Sequence, residues 1–561
     1  MKKILVTSAL PYVNGDMHLG HLIGCWLTAD VYARFHRALG NDVLFVCGAD
    51  EHGTPTVIGA KKAGLPYLEY NNKFYEKQKN IMAAFNMSFD YYGRTHTPEH
   101  VKLVQEIFTR LDENGLIEER TMVQPFSPTD NMFLPDRLIK GACPKCGYEN
   151  ADGDQCEKCG DLLTPRDLVN PTSKISGAAD IEWRETKHLF FLASAMEPRL
   201  REWLNTRAGW PKTATAIANK WLAEGVQDVS ITRDNDWGVP VDKPGYENKT
   251  FYVWFDAPWG YVSISQIATP RWAEFWRPEK PDDVHYAEFM GKDNVAFHSI
   301  FFPMQQLGTN DNWKTVDMLK GVNFLNFEGA KFSKSKNHGI FMEQAIGDIA
   351  DADVWRYALL SSAPETDDND FTIRRFADIV NKDLNGMLGN FISRVTKITE
   401  KHGGAFVPPV SDAEHNNEKI LRAILGLNDP INENLNSLTT ALTNCEFRDA
   451  ITALRNIWSI GNEFFTVCEP WNLVKTDPAL AGEVLNECFQ LIDFFSRVSA
   501  PFIPAAAERI QNIFAARHPL TWPSEYEHRK LPGTPFTVPE NIFQPIDDDK
   551  VAAMTEKYSA K

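Results

Sequence analysis

Three groups of residues in this 561-residue chain have types and spacing that could do chemistry. His18 and His21 stand three apart in Pro11-Tyr12-Val13-Asn14-Gly15-Asp16-Met17-His18-Leu19-Gly20-His21, just after a short apolar run. On the first turn of a helix that spacing puts both rings on one side. Gly20 between them lets a flat ring or a phosphate come close to the backbone, and a helix start favours anions through its free N–H groups and dipole. Far downstream, Gly329-Ala330-Lys331-Phe332-Ser333-Lys334-Ser335-Lys336-Asn337 packs three lysines and two serines into six positions. Ammonium groups on such a loop can close over a triphosphate while the hydroxyls add hydrogen bonds. Cations placed there stabilise the charge that develops on the α-phosphate and pyrophosphate in nucleotidyl transfer. Taken alone, the histidines could merely cap a helix or begin a zinc site, and the lysines could form a solvated turn. Together the two segments specify nucleotide chemistry.

The third group is Cys143-Pro-Lys-Cys146 and Cys156-Glu-Lys-Cys159, two Cys-x2-Cys pairs with Gly147 and Gly160 just after them. Four thiolates at this spacing can close a tetrahedral zinc site, and a closed site is structural because no position is left for substrate. A redox role for either pair is the rival reading. The other cysteines are Cys25, Cys47, Cys445, Cys468 and Cys488, and an odd total of nine suits a reducing compartment, hence the cytoplasm.

These residues need elements to hold them. Ile4-Leu5-Val6 reads as a buried strand, a helix follows from about Leu19 to Leu39, and Val43-Leu44-Phe45-Val46 is the next strand. Strand–helix–strand of this size is a doubly wound α/β unit whose ligands sit at the carboxyl ends of the strands. The pattern predicts a Rossmann-type parallel-sheet catalytic domain in two halves, residues 1–111 and 229–325. Between them, 112–228 is read as an insertion carrying the cysteines. Phe251-Tyr252-Val253-Trp254-Phe255 and His285 to Gly291 are read as strands completing the sheet. Residues 326–383 form a linking segment with the lysine loop. Residues 384–530 are predicted to be an α-helical bundle, with Phe447, Ala450, Ile451, Leu454 and Trp458 on one helix face. A tail spans 531–561.

Composition excludes some classes. Net charge is −17, so the chain does not coat nucleic acid nonspecifically, although a local basic track would still bind RNA. No apolar run approaches the roughly 20 residues needed to cross a bilayer, so no membrane role is expected. Pro11, Asn14, Gly15 and Asp16 interrupt the opening before a signal peptide could develop.

The two nucleotide segments resemble the HIGH and KMSKS signatures of class I aminoacyl-tRNA synthetases, standing here as His18-Leu19-Gly20-His21 and Lys331-Phe332-Ser333-Lys334-Ser335. The resemblance implies that His18 and His21 meet ATP phosphates and that Lys331 and Lys334 stabilise leaving pyrophosphate. Within the class the chain is most similar, over essentially its whole length, to the methionyl-tRNA synthetases. Thr7 to Tyr12, Gly48 to Pro55, Tyr252 to Pro258, and Gly291-Lys292-Asp293 leading to Phe297-His298 carry that similarity. By resemblance Leu10, Tyr12, Trp254, Ala257, Pro258, Tyr261, Phe297 and His298 line a methionine pocket and Asp50 binds the substrate ammonium. Gly20, Gly291, Asp293, Ser333 and Ser335 serve ATP. A thioether packs well against aromatic rings, which agrees with such a lining. Phe302 and Phe332 depart from the family's usual Trp and Met.

At the other end, Asp351 to Tyr357 with Asp370-Phe371 resembles a stem-contact segment, and Asn390, Arg394 and Trp471 occupy anticodon-reading positions. Unpaired bases are recognised by stacking and by hydrogen bonds to their edges, which suits that trio. The implied partners are ATP with Mg2+, methionine, and the initiator and elongator methionine tRNAs; the metal is one structural Zn2+. Relatives that dimerise carry an extra C-terminal domain for which this chain has no room, so a monomer is expected. A sister synthetase for valine, leucine, isoleucine or cysteine, and an inert tRNA-binding relative, are the alternatives. The larger three need a long editing insertion because apolar pockets reject smaller analogues weakly. The cysteine enzyme holds substrate with its metal, which four thiolates would block.

Overall fold

A computed structural model describes residues 1–153, 156, 158–159, 163–333, 338–408, 417–528, 531 and 533–559. Its centre is a five-stranded sheet of β1 (Lys3–Ser8), β2 (Asp42–Ala49), β3 (Tyr91–Arg94), β4 (Val284–Gly291) and β5 (Met318–Val322), in the order β5-β4-β1-β2-β3. Every pairing in it is parallel. Ile4, Leu5 and Val6 are buried because helices cover both faces, which is why these strands read as continuous apolar runs rather than alternating ones. The order changes direction at β1, between β4 and β2, so the crevice above β1 is the switch point where such sheets take ligands.

The helix after β1 runs from Leu19 to Ala38, with a π-helical turn at Leu22–Trp26. A second π turn, Phe297–Phe301, follows β4. Wide turns of this kind often mark functional sites, and both lie at the sheet's ligand-binding end.

The expected strand at Phe251–Phe255 is not one. Only Thr250–Phe251 is extended, pairing with Thr232–Arg233, and a helix begins at Val253. Five consecutive bulky apolar residues satisfy a buried helix turn as well as a strand, so periodicity could not separate the two. The turn aims Trp254, Ala257 and Pro258 from one short stretch.

The insertion has a long antiparallel pair, Ile117–Ser127 with Glu182–Phe191, and a small sheet of Ile139–Ala142, Ala151–Asp152 and Val169–Ser173. That small sheet has its own core of Leu134, Leu138, Ile139, Ala151 and Leu168 around Cys143 and Cys156. So few apolar side chains give little stability by themselves, and a metal clip is the usual remedy.

Helices from Asn390–Gly403 onward build the bundle, led by Phe447–Cys468 and Pro478–Ser499. A buried arginine ties it to the catalytic sheet. Arg356 donates to Asp30 at 2.7 Å, to the Phe85 carbonyl at 3.2 Å, and to the Pro501 and Phe502 carbonyls at 3.1 and 3.0 Å. Trp355, Arg356 and Tyr357 are all fully buried, so in the segment read as stem-contacting these three side chains brace domains rather than face solvent. Helix Asp548–Tyr558 returns to the catalytic side, where the Tyr558 carbonyl accepts from Gly339 N–H at 3.1 Å and Lys557 pairs with Asp348 at 2.8 Å. No described helix is long and apolar enough to cross a membrane.

Candidate active site and zinc knuckle

The two nucleotide segments meet. His18 is extended and begins the helix, and its backbone N–H donates to His21 Nδ1 at 3.2 Å. The two imidazoles stack at 3.6 Å between centroids, and Phe332 stacks on His18 at 4.4 Å and 9°. Leu19 N–H also donates to the Ile340 carbonyl at 3.1 Å, which joins the loop's far end to the same helix. Gly20 is closely packed: a Cβ there would lie 3.0 Å from the His18 ring and 3.3 Å from Phe332, and those rings would have to give way slightly. Lys331 is exposed on the short strand Ala330–Lys331, and Ser333 and His338 form an isolated antiparallel bridge. Lys334 and Ser335 lie outside the described residues.

The carboxylate end of the crevice is equally compact. Tyr12 and Asp50 bridge as parallel neighbours: Asp50 N–H donates to the Pro11 carbonyl at 2.9 Å, and Val13 N–H donates to that of Asp50 at 3.3 Å. Asp50 is buried, and its pKa is pushed up first by burial and then by nearby Asp256. Trp254 and Phe297 stack at 3.5 Å, and the Tyr261 hydroxyl lies 3.1 Å from His298 Nε2. Leu10 packs on Gly260, whose hydrogen faces Leu10 Cδ1 where a Cβ would come within 2.9 Å. Ala257 and Pro258 are buried beneath. Phe302, 1% exposed, packs edge-on against Trp259 at 5.2 Å. At the end of β4, the Asp293 carboxylate folds over Gly291, where a Cβ would meet Oδ1 at 2.6 Å.

Four more residues belong here that the sequence reading passed over. His52 holds both buried carboxyls, its backbone N–H 3.4 Å from Asp50 Oδ1 and its ring Nδ1 2.9 Å from Asp256 Oδ2. Arg233 lies over the Tyr252 ring at 3.7 Å. Burial raises the pKa values of both Tyr12 and Asp293, and Arg137, just before the cysteine knuckle, is close enough for its charge to offset part of that rise. For Asp256 one signal was available: an acid inside an apolar stretch, Val253-Trp254-Phe255-Asp256-Ala257. No spacing rule would have found the arginines.

In the knuckle, Cys143 and Cys159 Sγ are 3.9 Å apart and Cys146 and Cys156 Sγ 3.6 Å. All four ligand atoms lie within 4.8 Å of one another. A tetrahedron with Zn–S bonds of about 2.3 Å has S···S edges of about 3.8 Å, so the donor set fits one zinc ion. A disulfide would need sulfurs about 2.05 Å apart, which excludes one here. Gly147 supplies the turn at φ +69°, its N–H returning to the Cys143 carbonyl at 3.0 Å.

On the bundle, Arg394 lies 4.4 Å over Phe465 and 5.3 Å over Trp471, with Asn390 exposed on the same helix. Glu469 at φ +46° turns the chain into Pro470–Thr476 and presents Trp471 beside Arg394.

Residues 4–396 match the family described as tRNA synthetases class I (M). That defines the class: the chain carries the catalytic part of a class I tRNA synthetase. Residues 416–561 match the anticodon binding domain of methionyl tRNA ligase. The chain is 42% identical to the methionine–tRNA ligase of Caulobacter vibrioides, covering 100% of this chain and 99% of the relative. It is 43% identical to that of Streptomyces avermitilis, again over 100% and 99%. It is similar in fold to Mycobacterium tuberculosis methionyl-tRNA synthetase in complex with methionyl-adenylate, with a TM-score of 0.77, 23% identity, and coverage of 97% of this chain and 100% of that one. The chain belongs to the methionyl-tRNA synthetase family. It is a ligase that activates methionine with ATP and charges tRNA with it.

Proposed function

We propose that the residues assembled above divide the two-step reaction as follows. His18 and His21, with Gly20 opening the backbone, meet the ATP phosphates at the helix start. Gly291 and Asp293 hold the ribose, and Ser333 and Ser335 add hydroxyls. Asp50 takes the methionine ammonium, and Leu10, Tyr12, Trp254, Ala257, Pro258, Tyr261, Phe297 and His298 enclose the side chain. The substrate carboxylate attacks the α-phosphorus, the adenylate forms, and pyrophosphate departs towards Lys331 and Lys334. Magnesium bound with ATP would share that charge. The observation that carries this reading is the Phe332–His18 stack, which supports bringing residues some 310 positions apart to one nucleotide. Arg137 adds a cation from the insertion, and the knuckle, closed by Zn2+, holds its segment in place.

Asn390, Arg394 and Trp471 read the anticodon. The catalytic halves 1–111 and 229–325, the insertion 112–228, the linking segment 326–383, the bundle 384–530 and the tail 531–561 are the working divisions of a cytoplasmic monomer that charges initiator and elongator tRNA. Pyrophosphate exchange tests the core assignment. Lys331→Ala should lower kcat for methionine-dependent exchange at least tenfold while moving the methionine KM less than twofold, the signature of a group that acts on the leaving pyrophosphate. Equal losses in both would remove the lysine from that role.

A further inference from the structure

Behind the aromatic lining lies a carboxyl with no assigned role. Glu288, in the middle of β4, is fully buried. Its Oε1 accepts from the Tyr286 hydroxyl at 3.0 Å and from the Thr7 hydroxyl at 3.4 Å, and lies 3.7 Å from His298 Nε2. Among the described residues nothing hydrogen-bonds to Oε2. His298 is fixed on its other side, with Nδ1 3.0 Å from the Asn294 carbonyl. A carbonyl can only accept, so Nδ1 carries a hydrogen.

The state of Nε2 therefore sets the direction of the Tyr261 hydroxyl 3.1 Å away. A bare Nε2 draws the phenolic proton to itself and leaves only oxygen lone pairs facing the ligand. A protonated Nε2 donates to the Tyr261 oxygen and frees its O–H for the ligand. A thioether accepts weakly and cannot donate, so only the second arrangement gives the methionine sulfur a hydrogen bond.

We propose that Glu288 is a positioning residue for methionine recognition: it gives one proton to His298, and its carboxylate keeps that ring protonated at both nitrogens, turning the Tyr261 O–H towards the substrate sulfur. The inference rests on the reading that Tyr261 and His298 line the methionine pocket. The proton leaves the Glu288 carboxyl and arrives on His298 Nε2, so the pair is neutral overall before and after. Burial resists either charge alone, pushing Glu288 up to about 8 and His298 down to about 4. Formed together, the two charges offset one another, and such a pair titrates as a unit. The hydroxyls of Thr7 and Tyr286 at Oε1 favour the carboxylate. Of the other titratable groups acting on Tyr261, burial holds the Cys25 and Cys47 thiols protonated, and Asp50 faces the substrate ammonium.

Glu288→Gln keeps the shape and removes the exchangeable proton. Pyrophosphate exchange is measured with methionine and with norleucine, which carries a methylene in place of sulfur. The expected result is a fall of about fivefold or more in kcat/KM for methionine, the worth of one hydrogen bond, with norleucine changed less than twofold. Homocysteine, whose thiol can donate to Tyr261, should lose less than methionine. Equal losses for methionine and norleucine, or none, would overturn the proposal. Tyr261→Phe separates it from the reading beneath it. If that variant leaves the methionine-to-norleucine ratio intact, the pocket assignment itself fails. If it collapses the ratio while Glu288→Gln does not, the pocket stands and Glu288 loses its role. Should Glu288→Gln not fold, 15N spectra of the native chain with methionine bound give the same answer. The His298 signal, identified by its loss in His298→Gln, should show both ring nitrogens protonated, and a bare Nε2 would refute the assignment.

Discussion

Arg356→Met should destabilise the fold by about 4 kcal/mol, a figure that follows from what the guanidinium leaves behind. Breaking a buried ion pair from one side costs about 3–5 kcal/mol when the remaining charge is stranded. Asp30 would not be stranded, because Arg34 still reaches it at 2.8 Å and Ser88 still donates its N–H and hydroxyl at 2.6 Å each. The carboxylate's share of the loss is therefore about 1 kcal/mol. The larger part comes from the carbonyls of Phe85, Pro501 and Phe502, which lose the Arg356 donor in a buried setting, at about 1 kcal/mol each after relaxation. Methionine replaces most of the aliphatic stem, so little cavity cost is added. Urea unfolding would report the loss, and the thermal midpoint should drop by about 3 °C if the chain unfolds as a unit. Because two of those carbonyls belong to the bundle, aminoacylation should suffer more than methionine-dependent exchange at a temperature where both chains are folded. A change under about 1 kcal/mol, or equal loss of both activities, would refute the view that this side chain ties the two domains.

Other outcomes follow from the same geometry. Trp471→Ala should reduce aminoacylation at least tenfold and leave pyrophosphate exchange within twofold, as stacking of a base is worth about 1–3 kcal/mol; loss of both would deny the division of labour between the domains. Cys146→Ser should lower zinc content, measured by elemental analysis, from one ion per chain towards none. The same variant should weaken adenylate formation through Arg137; full zinc retention would remove Cys146 from the ligand set. Asp30 is held below the ordinary carboxylate range by Arg34 and Arg356 in spite of its burial. Its contribution to stability is thus complete above about pH 4 and is lost as the pH falls further, and Asp30→Asn should flatten that part of the unfolding curve. An unchanged acid limb would contradict the assignment.

The sheet was readable because β1 and β2 are apolar runs closed by polar turns, and the knuckle because thiolate spacing is nearly sufficient for a tetrahedron. The aromatic stretch from Phe251 was not, since a buried helix turn and a buried strand ask for the same residues. Residues that act through contacts made across the chain were harder still. Arg137 gains meaning only once the insertion folds back over Tyr12 and Asp293. Glu288 was visible as an acid within an apolar strand, but its purpose depends on His298, ten positions later on another element. Arg356 lies in the segment that resembles a stem-contact element, and its side chain is fully buried with protein groups as partners, which the sequence did not reveal.

The return of helix Asp548–Tyr558 to Gly339 and Asp348 has a temporal consequence. Domains generally fold from the N-terminus as the chain is synthesised, and the sheet with its histidine pair can assemble early. The backbone partner of Gly339 is Tyr558, which is translated long after it. A nascent chain can thus hold a formed histidine pair while the support that Tyr558 gives Gly339 is still missing.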